Sequence, residues 1–226
     1  MKELRGNCQN VIRHVDEGLH EIFVRPNFGI GQRAYLVQTP RGNILWDCLS
    51  LIDPGTVSAL WAMGGVAAIA ISHPHYYTSM VEWSRAFGGI PIYVHADDRK
   101  WVTYSDAVIQ YWEGDRRELF GDAALIRCGG HFEGGAVMHW SAGASGKGVL
   151  LTGDVIQVVP DRGWVSFMYS YPNLIPLDAA AVRRIAAAVE PLAFERVFGA
   201  FGHVVEEDGA GAVKRSVERY LKALGV

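Results

Sequence analysis

Four apolar runs in this chain end on a histidine or an aspartate, and that repetition limits the possible folds more than any other feature. Residues 66–71 lead into Ser72-His73-Pro74-His75, and 124–127 into Cys128-Gly129-Gly130-His131. Residues 149–152 lead into Gly153-Asp154, and 196–198 into Gly199-Ala200-Phe201-Gly202-His203. Short continuous apolar runs read as strands buried on both faces. Ligand-binding groups collect at such strand ends, because the sheet fixes the backbone while the loop frees the side chain. One such histidine is usually a hydrogen-bonded core or surface residue. Four strand ends stopping on His or Asp point instead to a metal centre. His14, His20, His95 and His139 fall outside the pattern and receive no role.

The donor chemistry fits that reading. In extended backbone, His73 and His75 send both imidazoles to one side, since side chains alternate with period two, and Pro74 stiffens the extension. With a third imidazole from His131, the set matches the nitrogen preference of zinc, at about 2.0–2.1 Å. Gly129-Gly130 and Gly134-Gly135 flank His131 and permit a tight loop that brings backbone close to an ion.

Around these points strands and helices alternate. Strands are expected at 21–24, 34–38 and 44–46, the last two joined by a turn at 39–43. A helix over 56–63 takes Thr56 as its cap and Gly64-Gly65 as its stop. Another helix over 78–87 precedes a strand at 92–95. Beyond residue 96, aromatic residues from Trp101 to Phe120 are scattered among charges, which predicts helical or loop segments with an aromatic inner face. A strand follows at 136–140, and helices at 178–189 and from about 212 carry one apolar face each. Gly143-Ala-Ser-Gly-Lys-Gly lacks the glycine spacing and the Ser/Thr of a phosphate loop, and is expected to be a hairpin turn. The sum is a layered α/β fold, one domain over 1–226, with mixed sheets covered by helices.

Composition excludes several classes. A net charge of −3 without a Lys/Arg cluster argues against a nucleic-acid partner. No stretch has the length of a membrane span, and the first ten residues lack the apolar core of a secretory signal. Cys8, Cys48 and Cys128 show no CxxC spacing and read as reduced thiols. A cytoplasmic protein acting on a small molecule is expected, with oligomeric state left open.

Ile71-Ser72-His73-Pro74-His75, Cys128-Gly129-Gly130-His131, Leu151-Thr152-Gly153-Asp154 and Phe201-Gly202-His203 resemble four successive motifs of the metallo-β-lactamase-fold hydrolases, in the family's order and spacing. Leu45-Trp46-Asp47 resembles its early strand ending in Asp. The resemblance covers residues 34–203, and within the superfamily the chain looks most like the glyoxalase II-like and lactonase-like branch. It implies an αββα sandwich with a metal cleft at one edge. It also implies that His73, His75 and His131 hold a first metal, that Asp154 bridges, and that His203 serves a second metal. Asp47 would orient a ligand or its loop from behind.

One motif departs from the family. Where the family reads His-x-His-x-Asp-His, this chain places Tyr77 at the Asp and Thr78 at the last His. Only Asp154 and His203 remain for a second site, so one metal per chain is expected. The leading expectation is a zinc-dependent hydrolase of an ester, thioester, lactone or amide. Asp154 or His203 would orient or deprotonate the attacking water, and Tyr77 would donate to the developing oxyanion. One alternative is a mononuclear iron oxygenase using His73, His131 and Asp154. Another is a non-catalytic binding protein on a decayed hydrolase scaffold. The aromatic stretches 101–112 and 164–171 could wall a pocket for an apolar or aromatic acyl group.

Overall fold

The computed structural model describes residues 6–77 and 79–226. Its first sheet contains β1 (Gln9–Asp16), β2 (Leu19–Arg25), β3 (Ala34–Val37), β4 (Ile44–Trp46), β5 (Ala68–Ala70), β6 (Ile92–His95) and β7 (Ile109–Trp112), adjacent in chain order. The first four run antiparallel as a meander, and β4 through β7 run parallel. The second sheet is built from β8 (Arg116–Glu118), β9 (Ala123–Arg127), β10 (Ala136–Trp140), β11 (Val149–Gly153), β16 (Arg196–Gly199) and β17 (Val204–Val205), ordered β17-β16-β11-β10-β9-β8. Two short ribbons lie between β11 and β16 in the chain, β12 (Gln157–Val158) with β13 (Val165–Ser166), and β14 (Met168–Ser170) with β15 (Ile175–Pro176).

Period-two alternation sorts these strands into three apolar layers. Ile44, Trp46 and Ala70 of the first sheet meet Leu125, Met138, Trp140, Val149 and Leu151 of the second, forming the core between the sheets. Their chain neighbours face outward. Leu45 and Ile69 pack against helices α1 (Pro54–Ala62) and α2 (Met80–Ala86). Ile126, Val137 and Leu150 pack against α3 (Ala179–Val189) and α4 (Gly209–Ala223). The architecture is therefore an αββα sandwich of two mixed sheets flanked by helices, as expected.

Several local expectations are corrected. Asp53, not Thr56, caps α1: its Oδ1 accepts the Thr56 N–H at 2.9 Å, and Pro54 starts the helix where no amide donor is needed. Helix α4 begins at Gly209, three residues before the apolar stripe that marked it, because Gly-Ala-Gly carries little signal of its own. The aromatic stretch after residue 96 is not wholly helix or loop: Ile109–Trp112 is the strand closing the parallel side of the first sheet. The expected helix start at Thr78 lies outside the described residues. No helix among the described residues is long and apolar enough to cross a membrane.

His139, on the outward face of β10, shows how a histidine without a functional role still sets a pH dependence. Its Nε2 lies 2.8 Å from the Ala193 carbonyl, and burial lowers its pKa below 6.5, partly offset by that hydrogen bond. The unfolded chain therefore binds more protons below 6.5, so stability is full above that pH and is lost as pH falls towards the folded-state pKa. In chelator-treated protein, His139→Gln should show a shallower loss of thermal midpoint between about pH 7 and 5 than wild type. Equal slopes would remove His139 from the account.

Candidate metal centre

One backbone hydrogen bond and one close approach to a side chain bring the ends of the two sheets together. The Ser72 carbonyl, just past β5, accepts the N–H of Ala136 at the start of β10 (2.8 Å). Gly153, the last residue of β11, passes so close to Ser72 that a Cβ there would sit 2.6 Å from Ser72 Oγ, and its φ is +54°. Only glycine satisfies both conditions cheaply. The residues that follow, His73 on one side and Asp154 on the other, are thereby delivered to one point.

His73, His75, His131 and Asp154 each place a donor atom there, all within 4.8 Å of one another. His73 Nε2 lies 2.9 Å from Asp154 Oδ1 and 3.1 Å from His75 Nδ1, and His131 Nε2 lies 3.5 Å from Asp154 Oδ1. The two histidines of the first motif present different ring nitrogens. The extended His-x-His expected from period two is replaced by a tight turn: His73 is extended (φ −170°), but Pro74–Tyr76 forms a single 3-10 turn. A proline fits the first position of a helical turn, so Pro74 begins that turn instead of prolonging the strand. His75 returns beside His73 through the turn.

His131 arrives on the loop 128–135. The Gly135 carbonyl accepts the amides of Cys128 and Gly129, both at 2.8 Å, and a Cβ at Gly135 would stand 2.3 Å from the Gly129 oxygen. The far end of the loop is pinned by Asp98, a buried carboxylate whose Oδ1 accepts the Gly134 N–H at 2.9 Å. Nothing in the sequence flagged Asp98, because its partner lies in a separate segment.

Behind His73 sits a polar relay that, with Asp47 ionised, favours one tautomer. Asp47 is fully buried and accepts the Ser72 N–H on Oδ1 (2.7 Å) and the Ser72 hydroxyl on Oδ2 (3.0 Å). Ser72 Oγ also lies 2.9 Å from His73 Nδ1. Ser72 has one hydroxyl proton, and when the Asp47 carboxylate takes it, Oγ must accept from the His73 Nδ1–H. His73 Nε2 then carries a lone pair aimed at Asp154 and His75. Burial raises the Asp47 pKa to about 7, against the lowering effect of the Ser72 N–H.

Lone pairs facing lone pairs at this range repel unless a proton or cation lies among them. His131 Nε2 and Asp154 Oδ1 are both buried without a hydrogen-bond partner. Burial, then the neighbouring His73, pushes His131 down to about 4, and the same two causes lower His75. Burial pushes Asp154 up, but His73 and His131 outweigh it and leave the carboxylate below its ordinary range. Three imidazoles and one carboxylate, converging with two buried unsatisfied atoms among them, form a set that a divalent cation fits.

The other expected site residues lie elsewhere. His203, in the β16–β17 turn, is outside the group of four, and its Nδ1 is buried without a hydrogen-bond partner. Tyr77 packs against the core beneath the first sheet and lines a separate hollow with Met80, Val81 and Val102. Thr78 lies outside the described residues. His75, His131 and Asp154 line a cleft of about 910 Å³, with His73 buried behind them. Phe132 touches the rings of His73, His75 and His131, with centroids 5.0–5.5 Å away, and the Tyr171 hydroxyl donates to the Asp154 carbonyl at 2.9 Å. Sequence reasoning placed Tyr171 only in a general aromatic wall and missed Phe132, whose one signal was adjacency to His131.

No family model matches the chain. The uncharacterized protein YmaE of Bacillus subtilis (strain 168) is 51% identical over 220 residues, covering 97% of this chain and 80% of its own. Among solved structures, VMB-1 superposes with a TM-score of 0.71 at 15% identity, over 96% of this chain and 98% of its own. DIM-1 metallo-beta-lactamase gives 0.70 at 14% identity, over 95% and 98%. SMB-1 metallo-beta-lactamase, in a complex with mercaptoacetic acid, gives 0.65 at 17%, over 94% and 95%. At these identities the likeness establishes the fold.

Proposed function

We propose, from the premise that this chain belongs to the family of Bacillus subtilis YmaE and is built on the metallo-β-lactamase fold, that it is a metal-dependent hydrolase of a small molecule. The bond cleaved is an ester, thioester, lactone or amide. One observation carries the reading: three imidazoles and a carboxylate bring their donor atoms to one point, two of those atoms buried without a partner, beside a substrate-sized cleft. His73, His75, His131 and Asp154 would hold one ion, most simply zinc given the nitrogen-rich set. A zinc ion held there supplies Lewis acidity, polarising a carbonyl oxygen and lowering the pKa of water from roughly 15.7 towards about 7.

The chain's own residues supply orientation and proton handling. Asp47 and Ser72 keep the proton on His73 Nδ1, so Nε2 remains a donor to the centre. Tyr171 anchors the Asp154 backbone through its carbonyl, which keeps the carboxylate facing the imidazoles. Asp154 lines the cleft and is the group placed to orient water entering it. His203 could serve a second ion only with partners that the group of four does not contain, which supports one metal per chain. Tyr77 lines another hollow, so the oxyanion role considered for it has no geometric support.

The third imidazole favours zinc hydrolysis over an iron oxygenase, which needs only two histidines and a carboxylate. The test is elemental analysis of the purified protein together with an ester, thioester, lactone and amide panel. About one zinc per chain and a hydrolytic rate rising with pH are expected, with an apparent pKa of about 7 or above. Oxygen consumption by an iron-containing protein that hydrolyses nothing would replace this reading.

A further inference from the structure

We infer that the cleft above the four donors is built for an uncharged hydrophobic group, so that the substrate carries a neutral aryl or alkyl portion where it leaves the metal centre. The inference deepens the hydrolase reading and rests on it for the chemistry, but not for the binding.

The cleft walls form an arc of rings centred on His131. On one side Phe132 lies 5.0 Å from His131 and meets Trp101 edge-on at 5.5 Å. On the other, Tyr171 stands edge-on to His131 at 6.4 Å and to Phe201 at 6.3 Å. Aromatic surface therefore runs from the donors outward in both directions. Its outer members are wet: Ile30 is 55% exposed, Trp101 49% and Tyr169 60%. Large apolar side chains grouped on a concave surface gain from being covered by an apolar ligand.

Outside the donors, charge is missing from the same walls. The described lining residues include no Lys or Arg, and their other polar members, such as Gln32, Ser50 and Ser170, are neutral. Two cations are chain neighbours of the lining, and both are turned to carboxylates. Lys100, beside Trp101, pairs with Glu133 at 2.9 Å. Arg33, beside Gln32, lies 3.6 Å from Glu21 and over the Phe23 ring at 4.2 Å. An anionic group on the outer part of a substrate would lose water and find no partner. A cationic group would look for an aromatic face, but that of Trp101 is already taken by Lys100, whose Nζ stands 5.9 Å from the ring centroid.

Equilibrium dialysis of the metal-containing protein tests this with 2-acetylnaphthalene, a neutral ketone with no hydrolysable bond, and with its 6-sulfonate and 6-trimethylammonium derivatives. The neutral probe should bind about tenfold more tightly than either charged one. Trp101→Ala should weaken the neutral probe several-fold, while metal content and circular dichroism stay unchanged. A sulfonate or ammonium probe that binds as tightly overturns the inference, as does a neutral probe that fails to bind or ignores Trp101→Ala. Because the readout is binding, a protein that takes up the ketone but hydrolyses nothing in the ester, thioester, lactone and amide panel would sink the hydrolase reading alone.

Discussion

Replacing His131 with Ala should strip the protein of nearly all tightly held metal and abolish hydrolysis, while leaving the fold intact. Three features converge on this expectation. Among the described residues His131 contributes one of four mutually close donors, and its Nε2 has no hydrogen-bond partner. Its ring comes from the loop 128–135, whose backbone bonds run between Cys128, Gly129 and Gly135 and do not involve the imidazole. Its depressed pKa, about 4 through burial and the neighbouring His73, means that no proton competes for the nitrogen near neutral pH. The loss of affinity should exceed the ~10–100-fold typical of removing a hydrogen-bond partner behind a ligand. Elemental analysis after dialysis against a mild chelator measures it, with circular dichroism as the check on folding. A His131→Ala protein that retains full metal occupancy would show that the four donors do not act as a unit.

Asp47→Asn, which alters no donor, should weaken metal binding by about 10–100-fold. The substitution is nearly isosteric, and asparagine accepts the left-handed backbone that Asp47 adopts (φ +60°). Its carbonyl oxygen can still receive the Ser72 N–H, but its NH2 group now faces Ser72 Oγ as a donor. The serine proton is released from its carboxylate and free to point at His73 Nδ1. His73 can then carry its own proton on Nε2, the atom meant to face the ion. The effect should appear in metal affinity measured by competition with a chromophoric chelator, with little change in secondary structure. Ser72→Ala should act in the same direction by removing the relay. Unchanged affinity in Asp47→Asn would mean that the His73 tautomer is set by some other contact.

The site was legible in the sequence where chemistry and strand pattern coincide. Each of the four donors lies on the segment that follows a buried strand, so apolar run and polar stop could be read together at Ile71-Ser72-His73 or Thr152-Gly153-Asp154. The central strands of both sheets were legible for the same reason, and β6 and β10 fall on the expected residues. What escaped depends on contacts between distant segments. Asp98 holds Gly134 across a separation of 36 residues, and no local pattern announces it. Strand β1 has no buried face: its residues are all partly or fully exposed, so it lacks the apolar alternation that marks a strand. The turn at Pro74–Tyr76 was misread because proline suits both an extended segment and the first residue of a helical turn. Tyr77 was read by alignment with a motif, whereas its ring followed the core beneath the first sheet.

The seam between Ser72 and Gly153 has one more consequence. Two of the four donors, His73 and His75, follow a strand of the first sheet, and the other two, His131 and Asp154, follow strands of the second. An ion gripped by all four is a cross-link between the halves of the sandwich, added to the packing and the hydrogen bonds, such as Asp98 to Gly134, that already join them. Its binding energy would then be spent on holding the halves in register as well as on chemistry, adding about 4 kcal/mol of resistance to unfolding when free metal stands at roughly a thousand times its dissociation constant. Metal supply in the cell would thus govern how much of this protein survives, before it governs how fast any surviving molecule works.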